Sequence, residues 1–176
     1  MVLTAPQLTT LKAYINSVPA LAAYLLTVDG YFDLATRLNT ELVAPDFYVW
    51  KERLTWEEIR NNGFVWLEVD GLTPGKARIH EWMFKPSGND GVVNISKQNI
   101  RAGIEECWKG NAGRLAVQAS IFAHGQKKAN HVEKCFAVAS VAPPTPSGNI
   151  GSVTNTATAV LVAVTLSDVE AARNLA

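Results

Sequence analysis

Regular hydrophobic spacing is longest between residues 94 and 136, where it predicts two successive amphipathic helices. Apolar residues recur there at every third or fourth position, which places their side chains on one face of an α-helix. They are Ile100, Ile104, Cys107 and Trp108 in the first helix, and Leu115, Ala119, Phe122, Ala129, Val132 and Phe136 in the second. This spacing predicts a buried core, but it specifies no chemistry.

Shorter helices are predicted on both sides of this pair from their start signals. Each signal is a capping residue followed by proline, or by glutamine or glutamate three positions later. The capping residues are Thr4, Ser17, Thr55, Thr73 and Ser167. One more small helix is predicted from the apolar stripe of Tyr31, Leu34, Ala35 and Leu38.

Extended segments are predicted at residues 47–50 and near the carboxyl end. The aromatic residues of the first segment suit either core packing or a protein interface. Residues 137–141 and 156–165 are rich in residues that favour strands, and the stretch between them contains three prolines. We interpret them as a hairpin arm with a long mobile tip; a loop over a small sheet is the alternative.

These patterns together predict a mainly α fold. Several short helices surround two longer amphipathic helices, and a small C-terminal β-hairpin carries the mobile tip. A length of 176 residues fits a single domain. Within it we predict an N-terminal helical cap over residues 1–42, a helical core over 43–136, and the hairpin arm with a terminal helix over 137–176.

Composition narrows the classes of partner. Sixteen basic and sixteen acidic side chains cancel, so the sequence predicts no binding to a membrane and no sequence-specific binding to nucleic acid. Lys127, Lys128, Lys134 and Arg114 are interpreted as a solvated face. No signal peptide is predicted, and the longest apolar stretch is about half of the roughly 20 residues that a membrane helix requires. We expect a soluble protein made in the cytoplasm.

The sequence contains little evidence for a catalytic or ligand-binding motif. Gly71, Gly75 and Lys76 lack the spacing of a phosphate-binding loop, and Thr73 with Pro74 explains them as a helix start. We therefore predict no catalytic residue, no cofactor and no metal site.

A small metal-dependent or cysteine enzyme is the alternative that remains open. It would use His124, His131, Cys107 or Cys135. His131 and Cys135 are four positions apart, so they could share a metal, whereas His124 lies too far along a predicted helix to join them. Both cysteines have apolar neighbours, which favours packed thiols in a reducing compartment.

Three stretches of the sequence resemble small virion proteins of tailed bacteriophages and prophages. They are GFVWLEVDGLTPGKARIHEWMF, NIRAGIEECWKG and the closing TLSDVEAARN. The resemblance runs over most of the chain from about Ala44 onward. It lies in the general run of the sequence rather than in a catalytic motif. It implies a head-to-tail connector or adaptor, a helical protein whose extended arm contacts neighbouring subunits. No functional residue is carried over, because such proteins act through surfaces.

The resemblance implies that copies of the chain form a ring at the head–tail junction of the virion, joining the portal protein to tail or neck proteins. The chain would be synthesised in the cytoplasm of the bacterial host. The predicted interface residues are Phe47, Tyr48, Trp50, Pro144, Ile150, Val160, Leu161, Val162 and Val164. A tail-completion or capsid-decoration protein is the alternative within the same class.

Overall fold

The computed structural model describes residues 3–60, 64–84, 91–137 and 163–175, and this part of the chain is mainly helical. The helices are α1 (Ala5–Ser17), α2 (Pro19–Ala22), α3 (Val28–Thr40), α4 (Trp56–Arg60), α5 (Leu67–Asp70), α6 (Pro74–Phe84), α7 (Gln98–Trp108), α8 (Ala112–His124), α9 (His131–Cys135) and α10 (Leu166–Arg173). The strands are β1 (Tyr48–Trp50), β2 (Leu54–Thr55), β3 (Val92–Val93) and β4 (Gln126–Lys128). The prediction of a mainly α fold is confirmed.

The strands form two small sheets. β1 pairs with β4, and β2 pairs with β3 in antiparallel register, with Leu54 opposite Val93. The extended segment that the sequence predicts at residues 47–50 is confirmed by β1. Among the helices of the described residues, none has the length and apolar character needed to cross a bilayer.

The chain divides into two compact units, where the sequence predicts one domain of three consecutive parts. Of the described residues, the first unit contains 3–47, 128–137 and 163–175, and the second contains 48–60, 64–84 and 91–127. The predicted boundaries after residues 42 and 136 differ from this division and stay predictions. The first unit brings together both ends of the chain, because helices distant in sequence share its core.

The first unit is built from α1, α2, α3, α9 and α10. Its core consists of Leu3, Leu11, Ile15, Leu21, Tyr31, Leu34, Ala35, Leu38, Val132, Val164, Val169 and Ala172. The predicted start signal of α1 is confirmed, because Thr4 and Gln7 form a capping box. Pro19 opens α2 as predicted, but Val18 precedes it and Ser17 is the last residue of α1, so the prediction that Ser17 caps this helix is wrong. The predicted stripe of α3 is buried as expected.

The second unit contains α4 to α8 around an aromatic core. Its buried residues are Trp50, Leu54, Ile59, Phe64, Leu72, Phe84, Val93, Ile95, Ile104, Cys107, Trp108, Val117, Ile121 and Phe122. The Thr55 hydroxyl accepts a hydrogen bond from the Glu58 amide at 3.2 Å, and the Glu58 carboxylate accepts one from the Thr55 amide at 2.8 Å. The predicted capping box of α4 is thereby confirmed.

The second long amphipathic helix is shorter than predicted. α8 ends at His124, β4 follows, and α9 begins only at His131 behind its own capping box of Asn130 and Glu133. The Lys51 amide donates to the Gly125 carbonyl at 2.8 Å, and the Ala129 amide donates to the Phe47 carbonyl at 2.8 Å. The prediction of one helix reaching Phe136 is wrong because residues 126–128 form a strand that pairs with β1, and these two long-range backbone bonds flank it.

The terminal helix begins earlier than predicted. Thr165, rather than Ser167, forms its capping box, with Asp168 as the partner. The predicted hairpin strands and their tip lie largely outside the described residues, and the described residues 163–165 are not assigned to a strand. The hairpin arm therefore stays a prediction.

Asp168 links α10 to the segment before α1 by hydrogen bonds, so its replacement should lower the free energy of unfolding. The side chain is 2% exposed. Its carboxylate accepts from the Leu3 amide at 3.0 Å and from the Thr165 amide at 3.0 Å. Replacing Asp168 with alanine leaves these donors without their acceptor, so we expect the free energy of unfolding to fall by about 1–3 kcal/mol in urea denaturation.

Asp168→Asn is the matched control for this change, because the amide keeps one acceptor oxygen. We expect it to lose less stability than the alanine variant. An alanine variant within about 0.5 kcal/mol of the unmodified protein, the range of ordinary surface changes, would contradict the role given to Asp168.

Candidate functional site

Two exposed apolar surfaces are the most distinctive features of the described residues. The first, which we call the α3 surface, consists of Leu25, Leu26, Val28 and Phe32. These side chains are 72%, 63%, 67% and 61% exposed, respectively. Large apolar side chains scattered singly over a surface need no explanation, whereas several close together mark an interaction site.

Local sequence explains how the α3 surface forms. Thr27 caps α3, its hydroxyl accepting a hydrogen bond from the Gly30 amide at 3.2 Å. A Cβ atom at Gly30 would lie 2.3 Å from the Leu25 carbonyl oxygen, so only glycine lets the preceding turn close onto the helix. Val28 and Phe32 are one helical turn apart and face outward, since the buried stripe occupies the other side of α3.

The second surface is a groove in the second unit, which we call the α6 groove. It has a volume of about 510 Å³, and its lining is mostly apolar. Four lining residues lie on α6 and one on α7: Arg78, Ile79, Trp82, Met83 and Ile100. Trp82 is 80% exposed and Ile79 is 40% exposed. A concave apolar surface with a single charged side chain is typical of a binding site.

The groove exists because α6 buries a different face. His80 and Phe84 are the buried residues of α6, which leaves Ile79, Trp82 and Met83 on another side of the helix. A Cβ atom at Gly103 would lie 2.7 Å from the Met83 sulfur, so the glycine permits close contact between Met83 and α7. Thioethers are flexible and polarizable, and they suit surfaces that adapt to a partner.

The inner face of α6 belongs to an aromatic cluster. The His80 ring lies 5.1 Å from that of Trp56, 5.3 Å from that of Trp108 and 4.8 Å from that of Phe84. Burial lowers the pKa of His80 from its ordinary value to about 4, because a charged imidazole is poorly solvated there. His80 is therefore a neutral part of the core at pH 7.

The predicted interface residues differ in their exposure to solvent. Trp50 is 1% exposed and Val164 is 3% exposed, so both belong to the cores of their units and neither presents a surface to a partner. These two assignments are corrected. Phe47 and Tyr48 are half-buried. The remaining predicted residues, Pro144, Ile150, Val160, Leu161 and Val162, lie outside the described residues.

The cysteines have the environment of packed thiols. Cys107 is fully buried, and its thiol donates to the Lys76 carbonyl at 3.4 Å. Burial raises the pKa of Cys107 to about 11 and that of Cys135 to about 12. Nucleophilic chemistry requires the thiolate, which both environments disfavour.

His124 and His131 lie on two different helices, where the sequence predicts one long helix. His124 is the last residue of α8, while His131 and Cys135 lie on α9. His131 Nδ1 is 2.8 Å from the Tyr14 hydroxyl oxygen, and burial lowers the pKa of the histidine. Within the described ranges, no group of three or more histidine, cysteine, aspartate or glutamate side chains could hold a metal ion.

Gly75 and Lys76 lie in the first turn of α6, as predicted, whereas Gly71 is the C-cap of α5. Thr73 accepts from the Lys76 amide at 3.4 Å, and the Lys76 ammonium donates to the Lys109 carbonyl at 3.3 Å. The predicted basic face is divided among α8, β4 and α9. Within it, Lys128 pairs with Asp46 at 2.7 Å, and Lys134 lies 5.8 Å from the centre of the Phe47 ring.

Sequence reasoning predicted neither the α3 surface nor the α6 groove. A signal for the groove is the spacing of Ile79, Trp82 and Met83, which at i, i+3 and i+4 share one helical face and line it together. A usable signal for the α3 surface was the surplus of apolar residues at positions 25–32, more than the single buried face of α3 can take.

The sequence matches no protein-family model, no curated protein and no solved structure.

Proposed function

We propose that the protein is a structural component of a tailed-phage virion, of the head-to-tail connector type. Copies of the chain form a ring at the head–tail junction and join the portal protein to tail or neck proteins. The proposal rests on the resemblance of residues 63–84, 99–110 and 165–174 to small virion proteins, and on the exposed surfaces of both units.

The observation that carries the proposal is the presence of two different apolar surfaces on one chain. A ring requires each subunit to offer two distinct patches, one to each neighbour, and a head-to-tail contact closes when the rotation permits. The α3 surface and the α6 groove meet this requirement, because they lie on different units and differ in shape. The exposed Trp82 and Phe32 belong to the residue types enriched at protein interfaces.

The predicted hairpin arm adds a third contact element. Its residues Pro144, Ile150 and 160–162 would reach a neighbouring subunit, as arms of connector proteins do. This part of the proposal rests on the sequence and on the resemblance.

The test is the solution mass of the purified protein, measured by light scattering together with negative-stain images. We expect a species of several 19.1 kDa chains with a central opening. The proportion of this species should rise with protein concentration, since association follows mass action. A single-chain mass at every concentration would overturn self-assembly into a ring.

A further inference from the structure

We infer that the α3 surface of one copy docks into the α6 groove of the next copy, and that this is the repeating contact of the ring. The inference rests on the proposed function and names the partner of the groove: a second copy of this chain. Shape, charge and exposure each support this occupant.

Shape is the first reason. Amphipathic helices dock into apolar grooves through side chains spaced by three, four or seven positions. Leu25, Val28 and Phe32 have this spacing, and the last two lie on the exposed face of α3. The groove volume of about 510 Å³ exceeds by severalfold the roughly 150 Å³ that accommodates benzene, so it has room for the Phe32 ring together with an aliphatic neighbour.

Charge is the second reason. Asp29 and Asp33 are exposed beside Val28 and Phe32, and residues 25–36 contain no basic side chain. The charged residue that lines the groove is Arg78; Glu81 is exposed on α6 but does not line it. Opposite charges at the edge of an apolar contact set its orientation and disfavour wrong partners.

Exposure is the third reason. Both surfaces remain open within a single copy, where Phe32 is 61% and Trp82 is 80% exposed. Docking would remove an aromatic ring from water on each side of the contact. Rings buried at the centre of an interface contribute most of the binding energy. The contact is also head-to-tail, because each copy gives its α3 surface to one neighbour and its α6 groove to the other.

The experiment uses two full-length variants, Phe32→Asp and Trp82→Asp, each with one surface disabled. Both residues are exposed, so circular dichroism should show both variants folded. After the unmodified protein has been shown to assemble, we expect each variant alone to have the mass of one 19.1 kDa chain. The association constant should fall by about tenfold or more, as for an interfacial hot spot.

Mixing the two variants gives the decisive result. The intact α3 surface of the Trp82→Asp chain can dock into the intact groove of the Phe32→Asp chain, and no second contact between an α3 surface and an α6 groove can form. We therefore expect an equimolar mixture to give dimers and nothing larger. If the mixture stays monomeric, or if either variant alone keeps the mass of the unmodified protein, the inference is overturned while the ring itself stands.

A charge reversal tests the orientation of the contact. Arg78→Asp should weaken assembly, and the combination Arg78→Asp with Asp29→Arg and Asp33→Arg should restore it. Failure of the combination to restore assembly would overturn the assigned pairing of charges.

The matched control for the groove variants is Leu67→Asp, because Leu67 lies on α5 in the same unit and is 79% exposed. An equal loss of mass in this control would overturn the assignment to the groove.

These outcomes separate the inference from the proposed function. If the unmodified protein is monomeric, the proposed ring is overturned before any variant is measured. If the unmodified protein assembles and its surface variants assemble equally well, only the proposed pairing of the α3 surface with the α6 groove is overturned.

Discussion

Replacing Trp50 with alanine should lower the free energy of unfolding by about 3–5 kcal/mol, the usual cost of removing a large buried aromatic side chain. Trp50 is 1% exposed in the core of the second unit. Its ring meets that of Phe122 edge-on at 5.7 Å, and the guanidinium carbon of Arg101 lies 5.1 Å from its centre. The substitution would leave a cavity and remove both contacts. Urea denaturation followed by circular dichroism measures the loss.

The chain offers a matched control in Trp82. The same substitution there removes a tryptophan that is 80% exposed, so we expect a change within about 0.5 kcal/mol, as for ordinary surface positions. Trp50→Phe, which keeps one aromatic ring beside Phe122, should fall between the two. Equal losses for Trp50→Ala and Trp82→Ala would contradict the different burial of these residues.

Acid should destabilise the second unit through His80. The folded protein holds the pKa of His80 at about 4, whereas an unfolded chain titrates near its ordinary value of about 6.5. Between these values the unfolded chain binds a proton that the folded chain does not, so stability falls as the pH falls. The loss begins near pH 6.5, is complete below pH 4, and amounts to about 3 kcal/mol.

His80→Phe isolates this contribution, since phenylalanine packs among the same rings but does not titrate. The ring is slightly larger, so the quantity to compare is the change in unfolding free energy between pH 7 and pH 4, rather than the value at one pH. We expect the variant to lose about 3 kcal/mol less than the unmodified protein over that interval. An unchanged pH dependence would show that His80 is not buried in its neutral form.

His131 contributes in the same direction in the first unit, because burial also lowers its pKa. Its neutral ring contacts the Tyr14 hydroxyl at 2.8 Å, and burial raises the pKa of Tyr14 to about 12. Since His80→Phe leaves this pair untouched, the variant should retain some acid sensitivity from the first unit.

Helix starts were well predicted because their signals are local. Thr4 with Gln7, and Thr55 with Glu58, form their capping boxes from residues three positions apart, independent of the rest of the fold. The terminal helix shows the limit of such signals. Ser167 and Thr165 were both followed three positions later by a carboxylate, and the structure uses Thr165 because Asp168 also accepts the Leu3 amide from the other end of the chain.

The break after His124 was not predictable from periodicity. Ala129, Val132 and Phe136 continue the apolar spacing of α8, yet the strand β4 separates α8 from α9. The Gly125 carbonyl accepts from the Lys51 amide and the Ala129 amide donates to the Phe47 carbonyl, so both groups have partners distant in sequence rather than helical ones. A pattern within one segment carries no information about such partners.

The sequence by itself determined the class of the fold, the starts of several helices and the buried face of α3, since these follow from spacing and capping over a few residues. Only the tertiary structure decided which apolar residues stay outside. Trp50 and Trp82 both lie among apolar neighbours in the sequence, but β1 carries the first into a core and α6 leaves the second at the mouth of a groove. Burial depends on contacts between elements that are distant in the sequence. The proposed contact surfaces consist of the apolar side chains that these contacts do not cover.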